Sequence, residues 1–284
     1  MRIILFFIFV FVQTHHLFAQ DFSWTREDSE ILLQTLANDS LQGRKAGSVY
    51  EKKSLDFIGK ELRVHGKIKL KKQSFYAPIG ENDSIQCSNG YFFINNKKDQ
   101  TIIISAHYDH IGMGGALSKA PGKIEVHNGA DDNASGVTLV FELLNFLPDQ
   151  YNYLIVFYSA HEIGLYGSQA FEEISKKKKF KSVKAHINFD MVGRLDNASP
   201  TLRLTHNFDS NKVFETRPIK INYNPVEKLE LFDTRTNTRS GIYCINISTG
   251  LHSDYHQPTD DAQYINYDGI RIVAEYVVSL LRLI

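Results

Sequence analysis

Five segments of this 284-residue chain bring imidazoles and carboxylates together at short spacing. The first is His107-Tyr108-Asp109-His110. The second places Asp131 and Asp132 inside Gly129-Ala130-Asp131-Asp132-Asn133-Ala134-Ser135-Gly136. The others are His161-Glu162, Asn188-Phe189-Asp190 and His252-Ser253-Asp254-Tyr255-His256. A single histidine after a strand is more often a hydrogen-bonded loop residue than a ligand. Several such sites at equivalent structural positions are harder to explain as packing, because a buried carboxylate is costly unless it is paired or bound to metal. Imidazole with carboxylate is the donor set of a hard or borderline divalent ion, and zinc is the leading candidate. The chain has two cysteines. That excludes a disulfide scaffold and a Cys-rich zinc ribbon, so the chemistry falls to His, Asp and Glu.

These segments need elements to position them. Thr101 to Ala106 is a near-continuous β-branched run, the mark of a strand buried on both faces, and it leads directly into His107. Tyr153 to Ser159 reads the same way and leads into His161-Glu162. Strands at Ala185 to Phe189 and Tyr243 to Ser248 precede Asp190 and the His252 segment. Shorter strands are expected at Ile68 to Phe75, Ser84 to Cys87 and Tyr91 to Ile94. Helices are expected at Arg26 to Leu41, Tyr50 to Val64, Asn133 to Leu147 and Gly164 to Ser175. A last helix carries Ile270, Val273, Ala274, Val277, Val278 and Leu281 on one face. Strands alternating with helices imply an α/β fold: a three-layer α/β/α sandwich with a mostly parallel central sheet and helices on both faces. In such a sheet ligands gather outside the carboxyl ends of the strands, where the polar segments fall. No repeat, low-complexity linker or second-domain boundary interrupts 20–284, which reads as a single catalytic domain.

Lys and Arg total 32, as do Asp and Glu. This zero balance lacks the basic footprint of a nucleic-acid protein. The lysine run Lys176 to Lys179 closes a helix and complements its dipole as a solvated end. Met1-Arg2, the apolar run Ile3 to Val12 and the small residue Ala19 before Gln20 form the pattern of a signal peptide over 1–19. The run is short for a membrane span, and no cysteine follows it for lipid attachment. The expected mature protein is exported, periplasmic or secreted, with no stable membrane anchor. Cys87 and Cys244 would then meet an oxidising compartment, and whether they pair is open.

The chain resembles the di-zinc aminopeptidase family, the co-catalytic zinc exopeptidases of the aminopeptidase Y and bacterial leucyl aminopeptidase type, to which glutaminyl cyclases are related. The resemblance begins at Leu36-Ala37-Asn38-Asp39-Ser40-Leu41-Gln42-Gly43-Arg44. It continues through the His107, Asp131, His161 and Asp190 segments and closes at Thr249-Gly250-Leu251-His252-Ser253-Asp254-Tyr255-His256. It implies two zinc ions, one held by His107 and Asp190 and the other by Glu162 and His256, with Asp131 bridging them. It implies that Asp109 accepts the other ring N–H of His107 and fixes its tautomer, and that His110, His127 and His252 lie near the site in supporting roles. The implied reaction is removal of N-terminal residues from peptides. Paired metals roughly 3.5–4 Å apart clamp a water against the scissile carbonyl.

Two positions depart from the family. Members usually carry two adjacent acids after the central strand, the first a general base and the second a ligand. Here the pair is His161-Glu162. Histidine titrates near neutrality and can itself serve as a base. The alternatives are slow hydrolysis with little base assistance, or loss of hydrolysis with metal or peptide binding retained. Members also carry a Ser-Asp-His element where this chain has Phe232-Asp233-Thr234, so only Asp233 matches. Arg235 or Arg239 would have to supply a replacement donor. The expected function is an exported zinc aminopeptidase with His161 as catalytic base. The alternatives are a catalytically impaired metal-retaining peptide-binding relative and a glutaminyl cyclase-like acyltransferase. The side-chain preference would come from loops such as Asp196 to Pro200 and Tyr223 to Leu231.

Overall fold

The computed structural model describes residues 22–208 and 219–284. The expected signal peptide at 1–19 lies outside the described residues. In chain order the elements are α1 (Arg26–Leu36), α2 (Val49–Gly66), β1 (Lys71–Pro78), β2 (Ser84–Ile94), β3 (Gln100–His107), α3 (Gly136–Leu144), β4 (Asn152–Tyr158), α4 (Tyr166–Ser175), β5 (Ser182–Phe189), β6 (Thr201–His206), β7 (Lys220–Tyr223), the short α5 (Arg235–Arg239), β8 (Tyr243–Ser248) and α6 (Tyr267–Leu283).

The β-branched run Thr101 to Ala106 forms the middle of the sheet as β3, with every one of its residues from Thr101 onward buried. Successive side chains of a strand point to opposite faces. Ile102 and Ile104 therefore join the larger core with Leu32, Leu33, Phe141 and Val277, under α1, α2, α3 and α6. Ile103 points the other way, into a smaller core with Leu154, Val156, Tyr158 and Phe171 of α4. Two helical layers thus cover one sheet. No helix among the described residues is long and apolar enough to cross a membrane.

The eight strands form one sheet in the order β1-β2-β4-β3-β5-β8-β6-β7. The centre, β4-β3-β5-β8, is parallel as expected. The flanks make the whole sheet mixed: β1 and β2 form an antiparallel hairpin, β2 is antiparallel to β4, β6 is antiparallel to β8, and β7 is parallel to β6. A hairpin needs only a short loop, whereas a parallel pair needs a crossover. The two strands expected at Ser84 to Cys87 and Tyr91 to Ile94 are one strand. Gly90 between them is a close-packing position, since a Cβ there would lie 2.6 Å from Leu55 Cδ1. Two expected helices are shorter than the apolar pattern suggested. α1 stops at Leu36 and a 3-10 segment spans Asp39–Arg44, while α3 begins at Gly136 after a wide turn over Ala130–Ser135.

Candidate metal centre

The parallel centre of the sheet delivers the polar segments to one edge. β3 ends on His107, β4 leads into His161 and Glu162, β5 leads into Asp190, and β8 leads into the loop carrying His252 and His256. The loops are locked before any ligand is considered. Arg44 is fully buried and donates to four carbonyls: Nε to Tyr108 O (2.8 Å), Nη1 to Leu36 O and Asn128 O (2.6 Å each), and Nη2 to Gly129 O (2.9 Å). Buried Glu51 on α2 accepts from Tyr108 Oη (2.9 Å) and Ser159 Oγ (2.5 Å), joining the ends of β3 and β4. Asp109 accepts from the backbone N–H groups of His161 (3.2 Å) and Glu162 (3.4 Å).

The wide turn before α3 separates two adjacent aspartates. Asp260 accepts from the backbone N–H of Asp131 (3.0 and 3.1 Å) and of Asp132 (3.0 Å), and Arg194 Nη2 lies 3.2 Å from Asp260. Clamped this way, the two side chains diverge. Asp131 accepts from Gly193 N at 2.6 Å and faces His252 Nε2 at 3.1 Å. Asp132 lies between the ligand-bearing loops, with Oδ1 3.3 Å from His107 Nε2 and Oδ2 3.2 Å from His256 Nε2. The carboxylate between the two halves of the cluster is therefore Asp132, and the expectation of Asp131 as the bridge is corrected by one position.

Around Asp132 the remaining residues fall into two groups able to hold a metal ion. His110, Asp132, Glu162 and His256 form one, and His107, His161 and Asp190 form the other. Glu162 Oε2 is 3.2 Å from His256 Nε2, and Glu162 Oε1 is 2.9 Å from His110 Nδ1. Asp190 Oδ1 is 3.8 Å from His107 Nε2. His110, expected only nearby, belongs to the cluster. His252 serves Asp131 instead, and His127 bonds Ser118 and Glu125 O.

The tautomers test whether a metal fits. His107 Nδ1 is 3.2 Å from Asp109 O, and His256 Nδ1 is 2.9 Å from Leu117 O. A carbonyl only accepts, so in both rings Nδ1 carries the hydrogen, and Nε2 is the atom left for a second proton or a metal. Those two Nε2 atoms are buried without a hydrogen-bond partner, and each faces an oxygen of Asp132. A bare lone pair against a carboxylate oxygen is repulsive, so either a proton or a metal cation belongs between them, and the donors fit a divalent metal. The expected bond from His107 to the Asp109 carboxylate is not made: the ring bonds the Asp109 backbone carbonyl, and the carboxylate Oδ1 lies 3.8 Å away.

Electrostatics point the same way. Burial alone would raise the Asp132 carboxyl, but His107 and His256 win and hold it well below the carboxylate range. Burial and Asp132 would raise Glu162, yet His110 and His256 bring it to about 2. Burial would lower His256, but Asp132 and Glu162 lift it to about 10. The acids favour protons on these imidazoles, and a metal ion binding there would displace them.

His161 stacks on His107 with ring centroids 3.8 Å apart and planes 6° from parallel. Its Nδ1 lies 2.9 Å from Asp233 Oδ2, and its Nε2 lies 3.9 Å from Asp190 Oδ2. A ring-nitrogen lone pair lies in the ring plane, so two stacked parallel rings aim poorly at one point. Within the second group His107 and Asp190 are therefore the better-placed donors, and His161 Nε2 faces the space beside them. Burial and His107 oppose a proton on His161, but Asp233 and Asp190 outweigh them and lift it to about 9. Neither expected arginine reaches the site: Arg235 donates to Gly164 O, and Arg239 pairs with Glu230. A cavity of about 430 Å³ opens onto Asp132, His161, Glu162 and Asp190. Asn224, Lys228 and Leu231 line it, as expected of that loop, while Asp196 to Pro200 do not contribute.

A model of peptidase family M28 matches residues 92–281. The chain belongs to peptidase family M28. Among M28-like relatives, leucine aminopeptidase 1 of Pyrenophora teres f. teres is 35% identical over 149 residues, which cover 49% of this chain and 35% of that protein. The match therefore spans about a third of that relative's length. A zinc aminopeptidase of Bacillus subtilis superposes with a TM-score of 0.69 at 14% identity, covering 90% of this chain and 94% of that one. A glutaminyl cyclase of Fimbriiglobus ruber gives 0.73 at 14% identity, covering 93% and 96%. The M28 fold is thus common to solved proteins of both descriptions, and fold alone does not choose between them.

Proposed function

We propose that this chain is an exported zinc-dependent aminopeptidase that binds two metal ions and removes N-terminal residues from peptides. The observation that carries this reading is the pair of buried Nε2 atoms, on His107 and His256, facing the two oxygens of Asp132. His107 and Asp190 would hold one ion, Glu162 and His256 the other, and Asp132 both. The leader pattern at 1–19 supports export. When bound, the metals polarise the scissile carbonyl and lower the pKa of the attacking water.

The chain's own residues supply the proton transfer. Dications beside the ring would oppose the proton that Asp233 and Asp190 favour, leaving His161 neutral to take the water proton at Nε2 and return it to the leaving amine. Asp233 holds the opposite nitrogen, Nδ1, so the ring presents its free face to the site. This histidine–aspartate arrangement replaces the acid usual at that position. Asp109 ties down the backbone of His161 and Glu162 and keeps base and ligand in fixed relation.

The test is metal content together with hydrolysis of aminoacyl amides by the purified mature protein, beside a His161→Glu variant. Two ions per chain and turnover that collapses with chelator are expected. Two ions without turnover, and turnover gained in the Glu variant, would mean that His161 is no base and that the native site binds peptides without cleaving them. Cyclisation of N-terminal glutamine in place of hydrolysis would assign the chain to acyl transfer.

A further inference from the structure

The cavity beside the cluster carries two cations that the proposed reaction does not use. Arg203 on β6 and Lys228 after β7 both line it. Both are exposed, and among the described residues neither forms an ion pair. Their neighbours show why they gather there. Arg203 pairs in register with Ser248 on β8, and its side chain crosses Gly250 just beyond that strand. A Cβ at Gly250 would lie 2.4 Å from Arg203 Nε, so the arginine runs close over this glycine and a side chain there would push it aside. The guanidinium is thereby carried over the end of β8, next to the loop that bears His256. Asn246 also lines the cavity. Its side-chain oxygen already accepts from Asn188 Nδ2 at 2.8 Å, so what it has left to offer is an NH2 donor.

The acids of the same cavity, Asp132, Glu162 and Asp190, belong to the metal cluster. Away from the cluster its charged groups are positive, and its remaining wall mixes apolar Leu231, Phe232 and Leu251 with neutral polar Asn224, Ser248 and Tyr255. A guanidinium and an ammonium without counter-ions at the mouth of a cavity favour a planar anion, and arginine matches a carboxylate in two-point geometry. We propose that this site selects substrates bearing a carboxylate about one residue from the scissile bond, with Arg203 and Lys228 as the recognition residues. The inference rests on the aminopeptidase reading. The carboxylate has two possible sources, the side chain of an N-terminal Asp or Glu and the C-terminus of a dipeptide.

Calorimetric titration of the metal-loaded protein separates these sources, with hydrolysis of the same compounds followed in parallel. One arm compares glutamic acid α-amide with glutamine α-amide. The other compares alanyl-alanine with alanyl-alanine amide. In at least one arm the carboxylate compound should bind about tenfold or more tightly than its neutral partner, and the arm that responds names the source. The preference should weaken with salt, collapse in the double variant Arg203→Gln, Lys228→Gln, and reverse toward lysine amide in Arg203→Glu. No preference in either arm overturns the proposal. So does a preference that survives the double variant, since the metals would then carry it. If no compound is hydrolysed, the aminopeptidase reading fails, and the binding ratios still decide whether the cations recognise a carboxylate.

Discussion

Replacing Asp132 by Asn should strip metal from the chain, whereas Asp131→Asn should leave metal bound and cost mainly stability. Metal per chain after gel filtration, with a melting curve for each variant, checks both. The two residues are chemically identical neighbours, and only the backbone decides which one enters the cluster. That backbone is set by Asp260, far along the chain, accepting from both N–H groups. No local sequence pattern contains this information, which is why the resemblance placed the bridge one residue early. The other candidate ligands, His107, Glu162, Asp190 and His256, were legible because each closely follows a strand or closes a distinctive loop. His161 was legible as a departure from the family. Its partner Asp233 was visible only as the one residue matching the family's Ser-Asp-His element, because the contact links residues distant in the chain.

Elements fix the ligand loops through buried polar contacts, and two of these give measurable consequences. Arg44 was read only as the end of a motif. It satisfies four carbonyls, and burial, opposed by Asp109 and Asp132, brings its guanidinium down to about 10, still charged at neutral pH. Arg44→Met leaves those carbonyls unsatisfied and should lower unfolding free energy by roughly 3 kcal/mol or more, as measured by urea denaturation. His186 on β5 is buried between Ser105 Oγ (2.7 Å) and Asn237 Oδ1 (2.8 Å), and burial drops it to about 4. An unfolded histidine titrates near 6.5. Above that pH neither state binds the proton and the residue adds no pH dependence. Between there and about 4 the unfolded chain takes up a proton that the folded chain refuses, so stability falls as pH falls. His186→Gln should remove one proton's worth of that slope, whatever it does to stability at neutral pH. The central strands were legible from their β-branched runs, since burial on both faces writes an unbroken apolar signal. β6 and β7 were not, because they are short, partly exposed and interrupted by Arg203 and Lys220.

Across the whole molecule, the two thiols offer a check on packing. Cys87 and Cys244 are free and buried, on β2 and β8. Burial pushes each thiol up to about 12, so neither has the thiolate character that reaction requires. A thiol reagent should find no fast-reacting group in the native protein and both after denaturation. A single titratable thiol in the native state would show that one of these cores opens. Metal removal should also lower the melting temperature, because ions that bind only the folded chain stabilise it by mass action.

The clasp of Asp260 on the turn at Asp131 and Asp132 also sets an order in time. His256 and Asp260 come after every strand of the sheet. A chain emerging from the ribosome has all of β1 to β8 before it has the residue that aims Asp132 or the imidazole that completes the second half of the cluster. Until that late segment arrives and folds back, the nascent protein has no assembled centre. The position of two residues in the chain thus delays assembly of the centre, and with it the proposed activity, until synthesis is nearly complete.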